Sequence, residues 1–250
     1  MTATTNSRTR TPMLSRATAA QLAATENARF VALLSSLEAS DWALGTDCPA
    51  WDVRDIALHV LGAMEGHVRL REMAHQLRAG KSAAGDGPLV DGMTAVQVRE
   101  REHLTPNEIV ERISAVAPRA AAARTGRPAL MRRIPFSQEV GDVTERWSLG
   151  YLLDVVLTRD VWMHRVDISK AVGRPLRLTQ DHDGRLVADV VHEWAQRHGQ
   201  PYHLVLTGPA GGVFGEGDRS ALLEEDAVEF CRIVSGRGAG VGLLSELVPF

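Results

Sequence analysis

The chain has 250 residues, 44% of them hydrophobic, and a formal charge of -3. That length and apolar content suffice for one large domain or two smaller ones around a real core, and the near-neutral charge gives no electrostatic reason to expect nucleic acid or an anionic membrane as partner. Two cysteines, Cys48 and Cys231, are too few for a disulfide framework or a cysteine-based zinc site, and no run of eighteen apolar residues suggests a membrane span.

Residues 1–14, rich in Thr and Arg with no apolar run, read as a flexible tail. From Ser15 to Trp42, Leu22, Phe30, Leu33, Leu34 and Leu37 recur at helical spacing and predict a first long helix. Asp52 is placed to cap a second, running to about Gly80. The glycine-rich stretch after it reads as a loop. Thr105, Pro106 and Glu108 spell a capping box with proline in the first turn, opening a third helix that runs to about Arg124. A fourth extends from about Ser148 to Val172 and stops before Gly173-Arg174-Pro175. Four long helices joined by loops imply an antiparallel bundle over residues 15–174. Past Pro175 the pattern predicts helix, strand, turn or short strand, and helix, a small α+β domain over 175–250. The segment "TGPAGGVFGEGD" has neither phosphate-loop nor dinucleotide-loop order and reads as a turn.

The chemistry concentrates on two helices. On the fourth, the line Leu149, Leu153, Val156 continues as Asp160, His164 and Asp167, so a core-facing stripe turns from apolar to ionisable. Buried carboxylates need a cation, a hydrogen-bond network or a metal. A salt-bridge network with Arg159, Arg165 or an arginine of another helix satisfies that need as well as a metal does. On the second helix, His59 shares a face with Gly62, Ala63 and Gly66, which suggests space kept beside it; close helix packing around a core histidine is the alternative. Together, His59, Asp160 and His164 form a two-imidazole, one-carboxylate set suited to a divalent metal with open positions. His67 and His75 are weaker candidates, His192 and His198 read as solvated, and Cys48 reads as a buried structural thiol without a local base.

The stretches "DWALGTDCPAWDVRDIALHVLG" and "TRDVWMHRVDISKAVGRP", with the ending "GLLSELVPF", resemble the mycothiol-dependent maleylpyruvate isomerase family of actinobacteria, in the DinB-like superfamily. The resemblance implies a mainly α fold, a metal-binding DinB-like four-helix bundle followed by a sterol-carrier-like α+β domain. It places the metal ligands on His59, Asp160 and His164, with Asp160 where the resembling isomerases carry Glu, and it implies that Arg237 of the C-terminal domain assists catalysis. The resulting expectation is a cytoplasmic enzyme, monomer or homodimer, in which a divalent metal, zinc by preference, activates mycothiol for addition to a small electrophile, giving cis-trans isomerisation or S-transfer. Asp167 is assigned to supporting a ligating histidine. A non-catalytic metal or small-ligand binding protein on the same bundle is the competing expectation.

Overall fold

The computed structural model describes residues 4–217 and 222–250. Residues 1–3 of the expected tail and Asp218 of the glycine-rich segment lie outside them. Helix α1 (Arg16–Leu34) starts on Ser15, whose hydroxyl accepts from the Thr18 amide. Asp52 caps α2 (Val53–Val68), and Asp55 returns the bond to complete a capping box. The single helix expected over this region breaks at Arg69, which is extended (φ -114°, ψ 107°), and α3 (Leu70–Ala84) follows.

The glycine-rich stretch is a second departure, since it leads straight into a further helix, α4 (Leu89–Arg99). A Cβ on Gly92 would lie 2.0 Å from the Gly80 carbonyl oxygen. The two glycines therefore mark a backbone-to-backbone crossing of α3 and α4, which only residues without side chains permit. Helix α5 (Pro106–Thr125) begins on the Thr105–Glu108 capping box that the sequence announces.

A short α6 (Ala129–Arg132) leads to a hairpin, β2 (Pro135–Val140) and β3 (Val143–Ser148), turning through Gly141 at φ 55°. Where a tail was expected, β1 (Thr4–Arg10) pairs parallel with β3, giving the order β1-β3-β2. Its Arg10 donates to Glu145, an anchor that composition alone does not disclose. Ser148 caps α7 (Leu149–Tyr151), which continues through a π-turn (Leu152–Val156) into α8 (Leu157–Ala171). The fourth long helix thus exists, but one wide turn re-phases it just before the ionisable stripe.

Phe30 of α1, Ile56 and Leu61 of α2, Ile109 and Ile113 of α5 and Ile168 of α8 share one buried cluster, the centre of the four-helix bundle. Beyond it, a π-turn (Gln180–Gly184) opens α9 (Arg185–His198), which ends on Gly199 at φ 62°. Strand β4 (Tyr202–Thr207) pairs antiparallel with β5 (Gly212–Glu216) and parallel with β6 (Leu222–Asp226). Asp226 then caps α10 (Ala227–Val234). Trp162 and Met163 of α8 are buried together with Trp194, Leu204 and Phe230, so the C-terminal elements dock on the back of the helix that carries the stripe. Among the described residues no helix is long and apolar enough to cross a membrane.

The α8–α9 junction is held by charge as well as by packing. Arg159, 1% exposed, reaches Asp189 at 2.6 Å and Glu193 at 2.8 Å, and Arg197 joins Glu193 at 2.7 Å. Burial alone would raise the Glu193 pKa, yet the two guanidiniums hold it down to about 2. A carboxylate depressed in the folded state stabilises above its unfolded pKa and loses that contribution as pH falls through the folded value. Over that window Glu193 is expected to contribute up to about 3 kcal/mol. Urea midpoints measured from pH 6 to pH 2 should fall more steeply for the wild type than for Glu193→Gln; parallel profiles would exclude the role.

Candidate metal centre

His59 projects from α2 toward α8, where Asp160 and His164 stand one helical turn apart on the same face. The Asp160 carboxylate lies between the two rings, 3.6 Å from His59 Nε2 and 3.4 Å from His164 Nε2. All three residues offer ligand atoms within 4.8 Å of one another. Both histidines are buried, their rings edge to face at 5.2 Å, and the Trp51 indole lies 5.0 Å from the His59 ring.

Each imidazole is fixed through its other nitrogen. His59 Nδ1 pairs with Gln97 Oε1 at 2.8 Å, Gln97 donates to Gln76 Oε1 at 2.8 Å, and Gln76 donates to the Gly62 carbonyl at 2.9 Å. His164 Nδ1 pairs with Asp167 Oδ2 at 3.1 Å. Both Nε2 atoms are left facing Asp160, the arrangement in which a ligating histidine is oriented by a supporting hydrogen bond.

The space beside His59 has a different use from the pocket that the small residues suggested. A Cβ on Gly62 would sit 2.7 Å from the Gln97 Cβ, and one on Gly66 would sit 3.1 Å from Gln76 Oε1. The glycines admit the two glutamines that hold the ring. Neither glutamine carried a sequence signal: Gln97 lies on α4, whose start falls in the glycine-rich stretch, and Gln76 lies in the charged run of the expected second helix that reads as an exposed face, whereas the structure buries it completely.

Arg237 follows α10 and reaches the same cluster, donating to Asp167 at 2.8 and 2.9 Å. Its charge is thereby answered by Asp167 rather than left free. The Cys48 thiol sits 3.5 Å from Asp167 Oδ2 and 3.6 Å from Arg237 Nη2. This corrects the view of Cys48 as an inert core thiol: it is half-buried at the rim of the site, where residues distant in sequence meet it.

Electrostatics distinguish Asp160 from Asp167. Burial opposes ionisation of both, but His164 and His59 hold Asp160 well below the usual carboxylate range, and His164 and Arg237 lower Asp167. Burial disfavours the charged form of His164, yet Asp160 and Asp167 together raise it well above an ordinary imidazole. With Asp167 matched by Arg237, the one carboxylate in the cluster without a permanent cation is Asp160. The donor set therefore suits a divalent ion, two imidazole nitrogens and one carboxylate oxygen, with coordination positions to spare. A second cluster, Glu26, His182 and Asp183, is already closed by Arg165 at 2.6 Å to both carboxylates and has no cationic charge to recruit.

A His-Asp-His cluster between α2 and α8 of a four-helix bundle, backed by a small C-terminal α+β unit, defines the class of protein. A family model, the mycothiol maleylpyruvate isomerase N-terminal domain, matches residues 23–169, which contain all three cluster residues. The chain belongs to the mycothiol maleylpyruvate isomerase family. Two solved structures share its fold: the mycothiol-dependent maleylpyruvate isomerase, at 15% identity and a TM-score of 0.54, and a variant of it with one histidine replaced by alanine, at 14% and 0.53. Each alignment covers 90% of this chain and 91% of the other. No curated protein matches.

Proposed function

We propose that the protein is a metal-dependent isomerase that uses mycothiol to convert a maleylpyruvate-like cis-unsaturated acid into its trans form. The observation that carries this reading is the convergence of His59, Asp160 and His164 in a chain of that family. In this reading residues 15–174 form the metal-binding bundle and residues 175–250 supply Arg237. A divalent metal, zinc by the preference of such donor sets, contributes positive charge that favours the thiolate at neutral pH.

The chain's own residues do the rest. His59, Asp160 and His164 hold the ion, Gln97 and Asp167 fix the ring orientations, and Trp51 covers the His59 face. Arg237 keeps Asp167 ionised, so that Asp167 accepts from His164. The substrate chemistry requires a thiolate to add across the cis double bond, rotation about the resulting single bond, and elimination that restores the double bond as trans and returns the thiol.

Purified protein incubated with maleylpyruvate is expected to form the trans product only when mycothiol is present, with one divalent ion per chain by metal analysis. His59→Ala is expected to lose both the metal and the turnover. Isomerisation at full rate without mycothiol would overturn the proposal. A stable thiol conjugate without isomer would assign the same residues to S-transfer, and metal binding with no turnover of any thiol-dependent kind would leave a binding protein.

A further inference from the structure

Gln76 of α3 is fully buried and Gln97 of α4 nearly so. Buried amides are costly unless their donors and acceptors are met, and the chain that meets them has a direction forced at its far end. The Gly62 carbonyl can only accept. So can the Glu72 carboxylate: burial opposes its ionisation, but the Gln76 amide and the Arg101 guanidinium outweigh burial and lower its pKa. Both acceptors face Gln76 Nε2, at 2.9 and 2.8 Å. Its two hydrogens are spent there, and its Oε1 turns to Gln97 Nε2, which donates to it at 2.8 Å. Gln97 Oε1 is thereby left for His59 Nδ1, also at 2.8 Å. Reversing either amide would set oxygen against oxygen. An oxygen at Nδ1 requires the imidazole proton on that nitrogen.

Asp160 works the other way. Its Oδ2 faces His59 Nε2 at 3.6 Å, and a carboxylate beside a ring nitrogen favours a proton on it. A neutral imidazole carries one N–H and offers a metal its bare nitrogen. Left to Asp160 alone, His59 would hold its proton on the nitrogen that ligation needs bare. At His164 the counterweight on Nδ1 is a carboxylate, Asp167. At His59 it is an uncharged amide, whose orientation depends on what stands behind it.

We propose that Gln76 is a positioning residue for His59: anchored on the Gly62 carbonyl and Glu72, it orients Gln97 so that His59 keeps a proton on Nδ1 and can turn a bare Nε2 to an ion. The part played in metal binding rests on the reading above, whereas the placement of the proton does not.

The test reads the proton directly, by nitrogen NMR of the histidine rings in metal-free protein. Wild type is expected to show His59 Nδ1 protonated; a bare Nδ1 would overturn the assignment. In Gln76→Met, which keeps the bulk and removes both hydrogen-bonding groups, a population with bare His59 Nδ1 is expected to appear, while His164 Nδ1 stays as it was because Asp167 still holds it. Affinity for zinc ion, by chelator competition, is expected to fall about tenfold, and adding Gln76→Met to Gln97→Met is expected to cost nothing further, since Gln76 acts through Gln97. An unchanged His59 spectrum in Gln76→Met, or additive losses in the double variant, would overturn the proposal. Should Gln76→Met not fold, the side-chain amide protons of Gln76 and Gln97 are followed in wild type: slow exchange with water supports the relay, and fast exchange overturns it. Wild type that holds the proton on Nδ1 but binds no zinc would sink the metal reading and leave the relay. Tight zinc binding by a protein whose metal-free form has a bare His59 Nδ1 would sink the relay and leave the metal reading.

Discussion

Asp160→Ala is expected to yield a folded protein that purifies almost free of metal and has no thiol-dependent turnover. Loss of a supporting hydrogen bond to a ligand already costs about 10- to 100-fold in metal affinity, and Asp160 is the only carboxylate of the cluster not matched by an arginine. Its side chain is partly exposed, 23%, and it meets two imidazoles at 3.4 and 3.6 Å rather than a guanidinium, so the fold does not depend on it as it does on Asp167 or Glu193. Without Asp160 the cluster keeps two imidazoles and no charge to attract the ion. Metal content after dialysis, read beside circular dichroism, is the measurement; wild-type stoichiometry in the variant would remove Asp160 from the site. Asp160→Glu keeps the carboxylate and is expected to retain the metal.

Asp167→Ala is expected to damage both binding and stability. It strips the partner from His164 Nδ1 and leaves the Arg237 guanidinium without its carboxylate. The first loss predicts a 10- to 100-fold weaker metal site. The second predicts about 3 kcal/mol of destabilisation, because the surviving charge is largely buried and unpaired. The two effects separate in Asp167→Leu combined with Arg237→Leu. Removing both charges is expected to restore most of the stability, by chemical denaturation, without restoring metal affinity. Recovery of both together would mean that Asp167 acts on His164 only through the fold.

Local signals made much of this architecture legible. Asp52 and Thr105 opened their helices where the capping pattern put them, and periodicity showed the ionisable stripe on α8 and the small-residue face beside His59 on α2, while it took the family resemblance to bring the two together. What escaped was non-local. The strand β6 pairs parallel with β4, with β5 between them in sequence but on the far edge of the sheet, and its Glu224, Glu225 and Asp226 read as the start of a helix. The β2–β3 hairpin did carry a cue, the two-residue Gly141-Asp142 link between Val140 and Val143, but its strands are short and mostly polar. Gly80 and Gly92 mark a helix crossing in the same letters that usually mark a loop. In the site, Asp160 and His164 were visible because one helical face groups them. Gln97, Cys48 and Trp51 were not, since tertiary packing alone brings them there.

The bond from Arg237 to Asp167 also gives the site an order of assembly. His59, Asp160, His164 and Asp167 are all synthesised before the segment that carries Arg237. Until that segment docks, Asp167 lacks the guanidinium that answers its charge in the folded chain. The ionic balance of the bundle is thus closed by a residue from outside it, and the bond that Asp167 offers His164 reaches its final surroundings only once the C-terminal unit is in place.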